Sequence, residues 1–166
     1  MTIQIVNNSN NPLPKYNNEP INGNVRDSGL DVYADFSKIN KKFLFDSELI
    51  ENASKIVIKP LGRVLIPTGI HCSIPPGYEI QVRDRSGNAL KRGLIVTNGV
   101  GTIDSSYTGD IGVILTNCSN QNVIIEDHER IAQLVCMRVI AVEWEQVETL
   151  EETVRGAKGF GDSGTK

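Results

Sequence analysis

The feature that most constrains this chain is a series of short β-branched runs, cut at close and regular intervals by turn residues. Apolar or alternating stretches recur at 55–58, 63–66, 79–82, 93–97, 112–115, 122–125 and 131–142. Between them stand Pro75-Pro76-Gly77, Thr108-Gly109-Asp110 and Asn117-Cys118-Ser119-Asn120, clusters that stop or reverse the backbone. Ile and Val outnumber Leu and Ala by 34 to 17, a bias toward side chains that are stiff near the backbone and fit a pleated surface. The pattern predicts an all-β sandwich or jelly roll. One short helix is possible, at 87–92.

A chain of 166 residues holds one domain with a sizeable core. Seventeen Lys and Arg against 20 Asp and Glu give a net charge of −3, which leaves no electrostatic footprint for a nucleic-acid polyanion. No apolar run approaches the roughly 18 residues that cross a bilayer, and 1–11 has no basic stretch leading into an apolar one. The expectation is a cytoplasmic protein, or one of the host cytoplasm if the chain is viral. Cys72, Cys118 and Cys136 are odd in number and widely spaced, with only His71 and His128 as company, so neither a disulfide framework nor a zinc site is predicted. Two segments read as irregular: the Asn- and Pro-rich stretch 7–24, and the Gly-rich 155–166, expected to be a flexible arm attached to the 1–154 domain.

Four segments carry groups suited to chemistry. Arg85-Ser86-Gly87 follows an alternating strand at the mouth of a helical turn. There a guanidinium, a hydroxyl and free N–H groups suit phosphate oxygens, though the same residues also make an ordinary strand-to-helix turn. Asn98-Gly99 between apolar runs signals a hairpin whose main chain could read a flat base edge, with Asp104 and Tyr107 beside it. Asp27-Ser28-Gly29-Leu30-Asp31 runs into a strand start, and alternation turns Asp31 away from the face of Leu30 and Val32. Arg155-Gly156-Ala157-Lys158-Gly159-Phe160-Gly161-Asp162-Ser163-Gly164 surrounds two cations and an aromatic ring with glycines, and could fold over a phosphorylated, ring-bearing ligand.

Together with Glu129-Arg130-Ile131-Ala132-Gln133-Leu134, these segments resemble the five ordered motifs of the trimeric dUTPase family, from about Asp27 to the C-terminus. The resemblance implies a β-clip, or distorted jelly roll, with one short helix. It also implies a homotrimer with active sites shared between subunits, and a C-terminal arm that closes over them. The implied reaction is magnesium-dependent hydrolysis of dUTP to dUMP and pyrophosphate. Asp104 corresponds to the carboxylate that orients and deprotonates the attacking water. Asp31 corresponds to an acid touching the water shell of Mg2+. Arg85, Ser86, Gly87 and Gln133 correspond to phosphate ligands. Asn98, Gly99, Gly101, Thr102 and Ile103 correspond to the uracil-reading segment, and Tyr107 to the ring under the deoxyribose. In the tail, Phe160 corresponds to the aromatic that stacks on uracil, with Arg155, Gly161 and Ser163 at the γ-phosphate end.

This sequence departs from the family pattern at Asp84, where proline is usual, at Lys158, where many members have glycine, and at Asp162, a position usually small and polar. Asp84 is expected to pair with Arg83 or Arg85. The segment 36–54 is longer than the usual connection and is read as a surface hairpin. Two other functions fit parts of the chain. A dCTP deaminase shares the fold but needs a glutamate shortly after the third motif, where 111–115 has no carboxylate. A nucleotide-gated regulatory binding protein would use the insertion and the Asn-rich segment as its surface.

Overall fold

Short connections between successive strands favour antiparallel pairing, and every ladder in the described chain is antiparallel. The computed structural model describes residues 1–18, 21–22 and 24–159. Its strands are β1 (Gln4–Asn7), β2 (Leu30–Tyr33), β3 (Leu44–Ile50), β4 (Lys55–Ile66), β5 (Ile70–Ser73), β6 (Tyr78–Arg83), β7 (Leu94–Val96), β8 (Gly101–Ile103), β9 (Val113–Asn117), β10 (Val123–Glu126) and β11 (Arg130–Arg138), with one helix, α1 (Ser86–Arg92). One sheet has the order β10-β4-β9-β7, with β3 also along β4; a second has the order β2-β11-β6-β8; β1 and β5 form a two-stranded ribbon.

Val32, Val82, Ile131 and Leu134 from the second sheet meet Ile56, Ile58, Val64, Ile66, Leu115 and Ile125 from the first in one buried cluster. The β-branched bias of the sequence is therefore spent inside: Ile and Val dominate the largest fully buried side chains among the described residues. This is the all-β jelly-roll architecture that the turn spacing predicts. Helix α1 is short for a local reason. Gly93 takes a left-handed conformation at φ 63°, its N–H closes onto the Ala89 carbonyl, and a Cβ there would lie 3.0 Å from Ser119.

Three elements differ from expectation. The runs 55–58 and 63–66 belong to a single strand, β4, interrupted by an outward excursion. Pro60 has no N–H to donate, and Gly62 lies so close to the Asp46 carbonyl that a Cβ would approach it to 2.4 Å. The 36–54 segment pairs β3 with β4 as a hairpin, yet it is anchored in the core: Phe36 is buried, and Leu44 and Leu49 pack on the cluster. Finally, β11 stops at Arg138 although the apolar alternation runs to Val142. A strand needs a partner, and past Arg138 no described strand lies alongside. The segment that follows leaves Ile140, Trp144 and Leu150 more than 80% exposed.

Ile66 is fully enclosed. Its truncation to Ala should lower stability by about 2–5 kcal/mol, read as a fall in urea midpoint at constant m-value. A loss of less than about 1 kcal/mol would mean that the site collapses around the deletion and that packing between the sheets is loose.

Candidate active site

Three of the sequence motifs are brought side by side by strand register. Gln133 on β11 faces Asp31 on β2 across one ladder and Arg83 on β6 across the other. Arg85 then leaves β6 in an extended conformation (φ −91°, ψ 123°) and begins α1. Its Nε donates to Oδ1 of Asp31 at 2.9 Å, and Nη1 of Arg130 donates to Oδ2 at 2.9 Å. Asn17 adds a third donor, its Nδ2 lying 3.2 Å from Oδ2. Asp31 is only 5% exposed. A buried carboxylate is tolerated when it is paired and hydrogen-bonded, as here.

Gln133 donates from Nε2 to the Asp84 carbonyl at 2.7 Å. Its amide fills the space where a side chain on Gly29 would stand: a Cβ there would be 1.9 Å from Oε1. The expected pairing of Asp84 with Arg83 or Arg85 does not form. The Asp84 carboxylate accepts the N–H of Val96, Arg83 bonds to Gln81, and Arg85 bonds to Asp31. Val96 lies on the edge strand β7, so its outward N–H lacks a ladder partner and is the better match for a carboxylate one loop away. At the start of α1, the N–H groups of Asn88 and Ala89 both bond to the Arg85 carbonyl, while Ser86 and Gly87 sit exposed at the first turn. A Cβ on Gly87 would meet nothing within 4 Å, so nothing in the described chain requires glycine there.

The Asn98-Gly99 turn forms, with Gly99 at φ 73° and its N–H on the Val96 carbonyl. It does not close a hairpin. β7 pairs with β9 in one sheet and β8 with β6 in the other, so the turn carries the chain across the sandwich. Asn-Gly specifies the reversal, but the partner of each flanking run is decided by tertiary packing. Gly101 needs its lack of a side chain, since a Cβ would stand 3.1 Å from Val82.

Beyond β8, Asp104 is exposed, and its carbonyl accepts the N–H of Tyr107. Thr102, Ile103, Asp104, Tyr107 and Asp110 line one shallow depression. Tyr107 is held at the hydroxyl end of its ring: the hydroxyl donates to the Asp110 carbonyl at 2.8 Å, and Gly109 lies where a Cβ would come within 2.5 Å of that hydroxyl. The loop itself is clamped to β5 and the two residues before it. The Asp110 carboxylate accepts from the backbone of Thr68 and Gly69, Thr68 Oγ1 donates to the Ile111 carbonyl at 2.7 Å, and His71 Nδ1 donates to the Thr108 carbonyl at 3.1 Å. Sequence reasoning missed these clamping groups, as it missed Arg130 and Asn17, because each works through a partner more than 30 residues away or through an irregular segment.

One chain separates the two halves of this chemistry. Ile103 is opposite Ile80, five residues (85 − 80) before Arg85, and Asp104 is one residue further away. Extended chain of that length spans on the order of 15 Å. Arg155 lies in the exposed C-terminal segment, its Nε bonded to the Lys158 carbonyl at 3.1 Å. Phe160, Gly161, Asp162 and Ser163 lie outside the described residues. Among the described residues, no group of three or more His, Cys, Asp or Glu is placed to hold a metal.

The dUTPase family model matches residues 50–164. The chain is 43% identical over 164 residues to the deoxyuridine 5'-triphosphate nucleotidohydrolase of Finegoldia magna, covering 99% of each protein. It is 41% identical over 152 residues to the same enzyme of Fusobacterium nucleatum, covering 92% of this chain and 89% of that one. Among solved structures it superposes on the dUTPase of Staphylococcus bacteriophage 80alpha bound to dUpNHpp, with a TM-score of 0.74 and 28% identity over 98% of both chains. The match spans the helix that begins at Arg85, the loop of Asp104 and Tyr107, and the strand of Gln133, and the chain belongs to the dUTPase family.

Proposed function

We propose that this chain hydrolyses dUTP to dUMP and pyrophosphate, in the cytoplasm, at sites assembled between three copies. The observation that carries the reading is the division described above. Arg85, Ser86 and Gly87 stand ready for phosphate at one end of β6, and Asp104 and Tyr107 stand on a clamped loop at the other. A second copy bringing its loop to the first copy's arginine completes the set. The exposed apolar segment from Ile140 to Leu150 supports the same assembly, because such a patch is covered in oligomers.

In this reading the triphosphate lies against the start of α1. Arg85 has five N–H donors, and those not engaged by Asp31 and the Arg130 carbonyl remain to neutralise phosphate. Ser86 and Gly87 offer backbone N–H groups, and Gly87 gives a phosphate unobstructed approach. Gln133 has a second amide N–H beyond the one held by Asp84. The uracil edge is read by Asn98 and the main chain of Gly99, Gly101, Thr102 and Ile103, while Tyr107 beneath the sugar leaves no room for a 2′-hydroxyl. Asp104 holds a water in line with the α-phosphorus and takes its proton as the bond to the pyrophosphate oxygen breaks. A carboxylate is a weak base, so its contribution is mostly placement of the water. Arg155, Phe160, Gly161 and Ser163 would close the arm over base and γ-phosphate and exclude bulk water.

Magnesium fits this chain as part of the substrate, carried on the triphosphate, where it offsets phosphate charge. Asp31 does not fit the water shell of such an ion. Its oxygens already accept from Arg85, Arg130 and Asn17, and it is buried.

Purified protein should release pyrophosphate from dUTP in preference to dCTP, dTTP and UTP. Asp104→Asn should retain most affinity for dUTP and lose at least about a hundredfold in turnover. Turnover within about twofold of wild type would remove Asp104 from the chemistry. Light scattering should give about three times the 18.2 kDa of one chain. A monodisperse monomer that turns over dUTP would refute the shared site.

A further inference from the structure

Among the described residues of the N-terminal segment 7–24 there is no regular strand after β1, yet the segment is fastened to the first motif at several points. The Asp31 N–H bonds to the Lys15 carbonyl at 3.1 Å. Two residues on, Asn17 donates from Nδ2 to Oδ2 of Asp31 at 3.2 Å and accepts from Nη1 of Arg130 at 3.1 Å. Asn18 grips a different carboxylate: its backbone N–H and its Nδ2 donate to Asp27 at 2.7 and 2.9 Å. The Asn18 side chain holds the Asp27 carboxyl below its usual range.

We propose that Asn17 is a positioning residue of the phosphate site, fixing Arg85 through Asp31 and Arg130. This rests on the reading of Arg85 as a phosphate ligand. The terminal torsion of an aspartate is broad and roughly two-fold, so one ion pair does not set the plane of its carboxylate. Arg85 holds Oδ1 firmly through Nε at 2.9 Å and reaches Oδ2 only at 3.5 Å through Nη2, while Arg130 and Asn17 hold Oδ2 at 2.9 and 3.2 Å. With short bonds on both oxygens the plane is set, and with it the direction of the Arg85 guanidinium. Asn17 is suited to this because its amide serves as donor and acceptor at once: N–H to the carboxylate, carbonyl to the guanidinium. Arg130 alone is a weaker guide, since its side chain is 45% exposed and is steadied on its outer side by Asn17. Asp31 thereby acts on the reaction through Arg85.

Full-length protein carrying Asn17→Ala should show KM for dUTP raised roughly three- to tenfold with kcat within about twofold of wild type, the loss expected for one hydrogen bond to a charged group acting on ground-state phosphate binding. Affinity for tripolyphosphate, measured by calorimetry, should weaken by the same factor. Asn18→Ala is the control. It loosens the same arm at Asp27, leaves Asp31 untouched, and should keep KM and tripolyphosphate affinity near wild type. Equal effects of the two substitutions would make Asn17 a mere anchor of the arm and overturn the proposal, as would an Asn17→Ala protein with wild-type KM and affinity. Wild-type protein that binds tripolyphosphate but does not hydrolyse dUTP would overturn the reaction assigned above. In that case the tripolyphosphate comparison still decides the role of Asn17.

Discussion

The buried charge of Asp31 is the constraint around which the active end of the sandwich is organised. Taking a carboxylate out of water carries a penalty of several kcal/mol unless donors replace the lost hydration. Here they come from three separate parts of the chain: Arg85 at the start of α1, Arg130 at the start of β11, and Asn17 in the N-terminal arm. Loss of any one leaves the buried carboxylate with fewer donors. The β2–β11 ladder accommodates this with a register shift between Arg130 and Ala132. The extra residue there, Ile131, is buried in the core while Arg130 reaches the carboxylate. A bulge of this kind re-aims a side chain without giving up the strand.

A second constraint governs the loop that holds Asp104. Apart from Tyr107 its own residues are small and polar, with little to pack, and its shape is imposed from outside by Thr68, Gly69 and His71 and from within by Tyr107 on Asp110. The Arg85 end and the Asp104 loop are therefore rigid by different means. One is an ion cluster around a buried anion; the other is a set of neutral and charge-assisted hydrogen bonds to backbone. Salt screens exposed charges far more than a buried pair, so neither half depends strongly on ionic strength for its shape.

Much of the architecture was legible in the sequence because period and turn chemistry are local. The strands of 79–82, 112–115 and 122–125 fall where alternation puts them, and α1 appears at the expected residues. What was not legible depends on partners distant in sequence. Asn98-Gly99 announces a reversal but not that β7 and β8 join different sheets. Asp84 looks like a counter-ion for its arginine neighbours, yet an edge-strand N–H on β7 claims it. The 131–142 alternation is continuous, but the strand ends at Arg138, where described pairing partners end. At the candidate site, residue types and order singled out Arg85, Asp104, Tyr107 and Gln133. The asparagines at 17 and 18 sat in a stretch whose composition suggests only solvent.

The distance between Asp104 and Arg85 along one chain has a consequence for the cell that makes this protein. If each site takes its arginine from one copy and its aspartate from another, a newly made chain is inert until it meets its fellows. Activity then rises more steeply than abundance, and falls faster as the protein is depleted. Two defective copies, one lacking the arginine and one the aspartate, can share an assembly and restore a working site between them. The inheritance of such defects would be governed by geometry rather than by dose.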